Sequence, residues 1–70
     1  MSELYISPAG DWVSGTTAKA MLSRLAFRLE VLECRDRADF IRQNWRRVAA
    51  RPSDWQEFEH LADHFEEVRA

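Results

Sequence analysis

The chain has 70 residues and a formal net charge of −2 at pH 7, with 12 acidic side chains against 10 lysines and arginines. This length allows one domain, residues 1–70, and the acidic balance excludes a protein whose overall charge attracts nucleic acid. Cys34 is the only cysteine, which excludes an internal disulfide and a cysteine-based zinc site. A domain of this size has a marginal core, so we expect a second copy of the chain to stabilise it.

No stretch of the sequence approaches the roughly 18 consecutive apolar residues that a membrane helix requires. Residues 1–5 lack the basic start and the apolar run of a signal peptide. The single cysteine also favours a reducing compartment. We therefore expect a cytoplasmic protein that does not insert into a membrane.

Residues 1–15 differ in composition from the rest of the chain. They contain both glycines, the only tyrosine and one of the three tryptophans. Residues 4–6 are typical of a β-strand, residues 8–11 are typical of a turn, and Trp12 and Val13 follow. This N-terminal arm is predicted to be a short hairpin or an extended segment that packs on other residues.

The remaining residues are predicted to form an all-α antiparallel helical hairpin with a long first helix. Neither glycine nor proline occurs between Gly15 and Pro52, which indicates a continuous helix over residues 17–50. The polar cluster at residues 35–39 could instead be a break, with an aspartate capping a new helix. We favour the continuous helix because the apolar residues keep one alternating spacing of four and three positions through the cluster.

A second helix is predicted over residues 54–68. Ser53 and Gln56 fit the capping-box pattern, in which side chains at the start of a helix bond its free amides. The apolar residues of this helix form a single stripe, so it can cover only one face of the long helix. The short connection at residues 51–53 makes an antiparallel neighbour the natural arrangement.

Two apolar seams lie on nearly opposite faces of the predicted long helix. One seam, which we assign to the contact with the second helix, contains Phe27, Val31, Cys34, Ala38, Ile41, Trp45 and Val48. The other seam contains the predicted dimer interface, formed by Leu22, Leu25, Leu29 and Leu32. A twofold homodimer would bury this second seam in a four-helix arrangement.

The two predicted helices carry opposite charges where they would lie side by side. Residues 35–51 contain six arginines and two aspartates, whereas residues 54–69 contain six acidic side chains and one arginine. We expect these blocks to pair, which would set the orientation of the hairpin more than its stability. The alternative is that the stretch from Arg35 to Arg51 is a recognition helix for DNA and the protein is a small transcriptional regulator.

Neither a catalytic site nor a metal site is expected. His60 and His64 lie four residues apart, but further ligands are not apparent, so a solvated face is the better interpretation. Cys34 lies in an apolar seam, where a buried and inert thiol is the expected role. No cofactor is expected, and an enzyme is the least favoured class of function.

Partner-binding residues are predicted among the aromatic and arginine side chains. Trp, Tyr and Arg are the residue types most often found as energetic hot spots of protein interfaces. Trp45 and Trp55 lie in apolar seams and are expected to pack in the core. The predicted partner-binding residues are Tyr5, Trp12, Arg42 and Arg46.

The layout of the chain resembles the very small inhibitors that bacteriophages make against host proteins. A short arm ending near Gly15, a long helix over residues 17–50 and a return helix over residues 54–68 are similar in size and plan to phage anti-quorum-sensing proteins. An arginine- and alanine-rich composition with a single lysine, Lys19, agrees with a host of high GC content. The resemblance implies a helical homodimer that covers a functional surface of a quorum-sensing transcriptional activator or of a pilus assembly ATPase.

From these observations we expect a non-enzymatic, homodimeric helical protein that inhibits a host regulatory protein by stoichiometric binding. An inhibitor of the anti-CRISPR type would rely on the same physics with a different target. The DNA-binding regulator is the remaining alternative.

Overall fold

The computed structural model describes residues 3–69, so Met1 and Ser2, at the start of the predicted arm, and Ala70 lie outside the described residues. The described residues form two strands and four helices. These are β1 (Leu4–Ile6), β2 (Trp12–Ser14), α1 (Gly15–Val31), α2 (Arg35–Gln43), α3 (Trp45–Ala49) and α4 (Pro52–Arg69). The predominantly helical class is confirmed, with one small antiparallel sheet added to it.

The N-terminal arm is a β-hairpin, which confirms that alternative over an extended segment. β1 pairs with β2 so that Leu4 lies opposite Ser14, Tyr5 opposite Val13 and Ile6 opposite Trp12. The amide of Ser7 donates to the carbonyl of Asp11 at 2.8 Å, and the hydroxyl of Ser7 accepts from the amide of Asp11 at 3.2 Å. Gly10 has a φ of 90°, a left-handed conformation that glycine adopts without steric cost in the turn.

The predicted continuous helix over residues 17–50 is wrong, because α1 ends in a hydrogen-bonded reversal of the chain. The amide of Cys34 donates to the carbonyl of Leu29 at 2.8 Å. The amide of Glu33 donates to the carbonyl of Glu30 at 2.9 Å, and Glu33 itself has a φ of 66°. These bonds form a Schellman motif, which satisfies the last carbonyls of the helix and turns the chain away from its axis.

Polar side chains mark the start of α1 and the boundary between α2 and α3. The hydroxyl of Ser14 accepts from the amide of Thr17 at 3.2 Å and caps the first turn of α1. At the boundary, the backbone amide and the side-chain amide of Asn44 both donate to the carbonyl of Phe40, at 2.9 and 3.1 Å. This second interruption divides the residues after the reversal into two short helices.

α4 confirms the predicted second helix and extends it by two residues at its start and one at its end. Pro52 occupies the first helical position, where its missing amide proton leaves no helical bond unmade. The carbonyl of Arg51 accepts hydrogen bonds from the amides of Asp54 and Trp55, so the helix begins before Ser53. The predicted capping role of Ser53 is therefore wrong.

The helices form three helical arms, whereas the sequence predicted a hairpin of two. The first arm is α1, the returning arm is α2 with α3, and the third arm is α4. α1 leads away from the β-hairpin, α2 and α3 return towards it, and α4 leads away again. At one end Arg46 of α3 lies 3.3 Å from Glu3, beside β1. At the other end Arg69 of α4 donates to the carbonyl of Val31 at 3.4 Å. Within residues 3–69, no helix combines the length and the apolar character needed to cross a membrane.

The core lies between the three arms. Its buried apolar residues are Ala18, Leu22, Leu25, Ala26, Leu29, Ala38, Ile41, Val48, Ala49, Trp55 and Ala62. Leu22, Leu25 and Leu29 are at most 1% exposed, and Leu32 is half-buried. The predicted dimer interface is therefore wrong at Leu22, Leu25 and Leu29, because the returning arm covers these three leucines within a single chain.

The other predicted seam is divided by the reversal at the end of α1. Ala38, Ile41 and Val48 are buried, but Phe27 is 61% and Val31 57% exposed. The reversal changes the helical phase, so residues before it and after it no longer share a face. The assignment of Phe27 and Val31 to the contact with the second helix is therefore wrong.

Leu25 and Phe27 distinguish the observed core from the predicted one. Leu25→Ala should lower the free energy of unfolding by about 2–5 kcal/mol because it leaves a cavity in the core. Phe27→Ala should change it by less than about 0.5 kcal/mol in dilute protein because its ring already lies mostly in water. Urea unfolding followed by circular dichroism measures both values. A larger loss for Phe27→Ala than for Leu25→Ala would contradict this core.

The left-handed conformation of Glu33 predicts an unusual effect of glycine. Glu33→Gly should be more stable than Glu33→Ala by about 1 kcal/mol, because glycine adopts a positive φ without a steric penalty. Both variants lose the exposed contact between Glu33 and Arg69 equally, so their difference isolates the backbone effect. Thermal or urea unfolding of the two variants checks this. Equal stabilities would show that the reversal does not depend on the left-handed residue.

Candidate protein-binding surface

Alternation along the β-hairpin divides its side chains between two faces. Tyr5 and Val13 lie opposite each other and pack against the core. Leu4, Ile6 and Trp12 occupy the other face. On that outer face Leu4 is 60% and Trp12 67% exposed. Two large apolar side chains are therefore in contact with water on the same side of the hairpin.

The outer face of the β-hairpin meets the turn between α3 and α4. Together they form a groove of about 290 Å³, lined by Leu4, Tyr5, Ile6, Trp12, Ala49, Ala50 and Pro52. We call this surface the hairpin groove. None of the lining side chains carries a charge, although 31% of the residues in the chain are charged. An apolar side chain of another molecule could leave water there without meeting an ionic group.

The inner face of the β-hairpin is held on α3 by an aromatic and ionic cluster. The rings of Tyr5 and Trp45 meet edge to face with centroids 6.1 Å apart, and the guanidinium of Arg46 lies 4.8 Å from the Trp45 ring centre. Arg46 Nε donates to Glu3 at 3.3 Å, and the Tyr5 hydroxyl also donates to Glu3. The bond from Tyr5 lowers the pKa of Glu3 and raises the pKa of Tyr5. The cluster positions β1 against α3 and so defines the shape of the hairpin groove.

The four predicted partner-binding residues do not form one surface. Trp12 lies in the hairpin groove, whereas Arg46 belongs to the cluster on the inner face of the β-hairpin. Tyr5 is half-buried between them and contributes to both. Arg42 lies on α2, where it donates to Glu30 of α1 at 2.7 Å. Of these four residues, Arg42, Arg46 and Tyr5 are already bonded to carboxylates of the chain, whereas Trp12 is 67% exposed on an apolar surface.

Arg28 fastens α4 to α1. Its guanidinium lies 3.0 Å from Glu59 and 2.7 Å from both Asp63 and Glu66. Hydrogen bonds to Glu66 and Asp63 raise the pKa of Arg28, and the bond from Arg28 lowers the pKa of Glu66. One cation thus holds three carboxylates of the neighbouring helix, a role that the sequence does not indicate.

The expected pairing between the basic block and the acidic block is wrong. In residues 3–69, the arginines of residues 35–51 make one ion pair with α4, between Arg51 and Asp54 at 4.0 Å. The other paired arginines of this block contact carboxylates outside α4. The reason is that α4 presents Glu59, Asp63 and Glu66 to Arg28 of α1.

Cys34, His60 and His64 are three further residues whose side chains have the chemistry of a metal or catalytic site. Cys34 is half-buried at the reversal, where its Sγ donates to the carbonyl of Leu32 at 3.8 Å, so it is less buried than the seam predicts. His60 and His64 are exposed on α4. In the part of the chain that the structure describes, no three histidine, cysteine or acidic side chains come together as metal ligands.

Leu4, Ala50 and Pro52 do not stand out in the sequence as parts of a groove. A partial signal is present, because alternation in a hairpin places Leu4 and Trp12 on one face. The contact of that face with the turn between α3 and α4 has no local signal, since it joins residues that are distant in the chain.

The chain has no significant match to a protein-family model, to a curated protein or to a solved structure.

The contact of Arg28 with three carboxylates predicts a stability difference that depends on pH. Arg28→Met should lower the free energy of unfolding by about 1 kcal/mol at about pH 7 and low salt, because the pairs are partly exposed. In the folded protein, the bond from Arg28 lowers the pKa of Glu66 from its ordinary value of 4.5. The stabilisation by this pair is therefore present at pH values above 4.5 and is lost as the pH falls through the lowered pKa. Urea unfolding of both proteins at about pH 7 and about pH 3 measures the difference.

Arg24→Met is the matched control for Arg28→Met, because Arg24 is an exposed arginine of the same helix. It should change stability little at either pH. A stability difference between wild type and Arg28→Met that is equally large in acid would contradict the role of the carboxylates.

Proposed function

We propose that this chain is a small non-enzymatic protein that acts by binding another protein through the hairpin groove. The observation that carries the proposal is the exposure of Trp12 and Leu4 beside a concave surface without charge. Exposed clusters of large apolar side chains mark interaction sites on small proteins. Tryptophan is among the residues that most often dominate the binding energy of an interface.

The hairpin groove suits an apolar side chain of a protein better than a small metabolite. Small-molecule sites contain a few polar groups that fix the orientation of the ligand. The polar side-chain groups of the lining residues are the hydroxyl of Tyr5, which is already bonded to Glu3, and the indole N–H of Trp12. The groove is also held in place by the cluster around Trp45, so little conformational entropy would be lost on binding.

We further propose a phage-type inhibitor that works in the cytoplasm of a host. The support is the resemblance in size and in a short N-terminal arm followed by helices; the long helix of the predicted plan is instead divided into α1, α2 and α3. Its target would be a host regulatory protein, either a quorum-sensing transcriptional activator or a pilus assembly ATPase. A stoichiometric inhibitor needs a preformed surface with one or two anchoring side chains, and the hairpin groove with Trp12 meets that requirement.

Three of the six arginines in residues 35–51 have a carboxylate neighbour, which weakens the case for DNA. Arg42, Arg46 and Arg51 each lie within 4.0 Å of a carboxylate of the same chain. Affinity for nucleic acid depends on cations that are free to replace the counterions of phosphates. Arginines that already have acidic neighbours contribute less to that exchange.

Trp12→Ala tests the hairpin groove. Isothermal titration calorimetry would measure binding of the purified protein to a purified quorum-sensing activator and to a purified pilus assembly ATPase. We expect Trp12→Ala to weaken binding by about 2 kcal/mol or more, roughly 30-fold, because a hot-spot side chain is lost. Val68→Ala is the control, because Val68 is an equally exposed apolar residue on α4 and does not line the groove. It should change the binding free energy by less than about 0.5 kcal/mol.

Each result has a distinct meaning. Wild-type affinity in Trp12→Ala would rule out the hairpin groove as the binding surface. No binding to either target would reject both named targets. Retardation of DNA with a steep dependence on salt would support the DNA-binding regulator instead.

A further inference from the structure

α1 has an uncovered stripe along its outer side. Its members are exposed and follow each other at intervals of three or four residues: Thr16, Ala20, Ser23, Phe27 and Val31. We call this surface the α1 stripe. α2 borders it on one side through the ion pair between Arg42 and Glu30, and α4 borders it on the other side through Arg28. Neither neighbour covers the stripe itself.

The α1 stripe separates large side chains from small ones. Phe27 and Val31 occupy its C-terminal half, whereas Ala20 and Ser23 occupy its N-terminal half. Two such stripes that lie antiparallel bring each large half against a small half. The α1 stripe is therefore complementary to itself, which is the requirement for a twofold interface.

We propose that the α1 stripe binds the α1 stripe of a second copy of this chain in an antiparallel twofold dimer. The twofold axis passes beside the helix between Arg24 and Leu25. Phe27 then lies opposite the space between Ala20 and Ser23 of the second copy. In the same register, the side chain of Val31 faces the small residues at the start of the opposing helix.

The charges beside the α1 stripe give the same register. Lys19 and Glu30 flank the stripe on one side and lie equally far along the helix from the proposed axis. Each Lys19 therefore faces Glu30 of the second copy, and the dimer contains two such pairs. Among residues 3–69 Lys19 forms no ion pair, and Glu30 contacts Arg42 through one carboxylate oxygen. Shape and charge thus indicate one arrangement independently.

Arg24 lies on the other side of the α1 stripe, close to the proposed axis. The two copies of Arg24 would approach each other there. Glu59 lines the same hollow as Arg24, but its carboxylate is already bonded to Arg28 at 3.0 Å. The approach of the two arginines therefore lowers the expected affinity of the dimer.

The size of the α1 stripe sets the expected affinity. The stripe spans about 24 Å, since an α-helix rises 1.5 Å per residue. A stable interface usually buries about 800 Å² on each partner, and one helix face of this length provides less. We expect a reversible dimer with a dissociation constant of tens of micromolar, on the order of −6 kcal/mol.

The proposed dimer leaves the hairpin grooves free. Each β-hairpin directly precedes the N-terminal end of α1, so antiparallel helices place the two hairpins at opposite ends of the dimer. A dimer of this kind presents two grooves and would bind a dimeric target with increased avidity. The dimer itself does not depend on the function proposed for the groove.

Sedimentation equilibrium of the purified chain between about 10 µM and about 1 mM tests the surface. Wild type should change from monomer to dimer over this range. Phe27→Asp should remain monomeric, because it places a charge in the interface. Val68→Asp, the control, should dimerise as wild type does, because Val68 lies on α4 outside the α1 stripe. Both replaced residues are exposed, so both variants should keep the circular dichroism spectrum of the wild type.

Two outcomes of this experiment would overturn the proposal. One is a wild type that stays monomeric up to about 1 mM. The other is a folded Phe27→Asp variant that dimerises as strongly as wild type, which would assign the dimer to a different surface.

Charge exchange tests the antiparallel register. Lys19→Glu and Glu30→Lys should each weaken dimerisation about fivefold or more, because each converts two attractive pairs into two repulsive ones. The double variant with both changes should dimerise more tightly than either single variant, since it restores both pairs with their signs exchanged. Recovery should be incomplete, because Glu30→Lys also removes the ion pair with Arg42. A double variant that dimerises no better than the single variants would reject this register and, with it, the proposed interface.

Discussion

The reversal at the end of α1 is the constraint on which the rest of the structure depends. Two backbone hydrogen bonds close it, from Cys34 to Leu29 and from Glu33 to Glu30, and a non-glycine residue takes a left-handed conformation to allow them. A left-handed glutamate costs on the order of 1 kcal/mol. Burial of even one leucine contributes more than this, and the reversal lets the returning arm cover the leucine face of α1. Without the reversal, that face would need a partner subunit.

The three-arm course decides which surfaces remain for binding. The leucine face of α1 is used within the chain, and the opposite face, with Phe27 and Val31, stays in water. The β-hairpin closes the end of the bundle where α3 and α4 meet, and its inner face is fixed through Tyr5. Its outer face and the neighbouring turn then form the hairpin groove. Two separate apolar surfaces result, one at the end of the molecule and one along its side.

Charge has a local and orienting role in this protein. Arg28 gathers three carboxylates of α4 and so fixes how that helix lies against α1. The arginines after the reversal are distributed among carboxylates of several elements instead of facing one acidic helix. Exposed ion pairs of this kind select one arrangement among several that bury similar apolar area, and they add little to total stability.

Features with local signals could be predicted from the sequence by itself. These include the turn at Gly10, the end of the helical stretch at Pro52, the helical character of α4, and the placement of Trp12 on the hairpin. Only the tertiary structure decided where the helical stretch in the middle of the chain breaks. Position 33 holds a glutamate and not the glycine that usually marks such a helix end, and its left-handed conformation is stabilised by the packing of the residues that follow. The buried face, the partners of Arg28 and the hairpin groove were decided in the same way. Each depends on contacts between residues far apart in the chain, and a periodic pattern of apolar residues shows that a face is buried without showing what covers it.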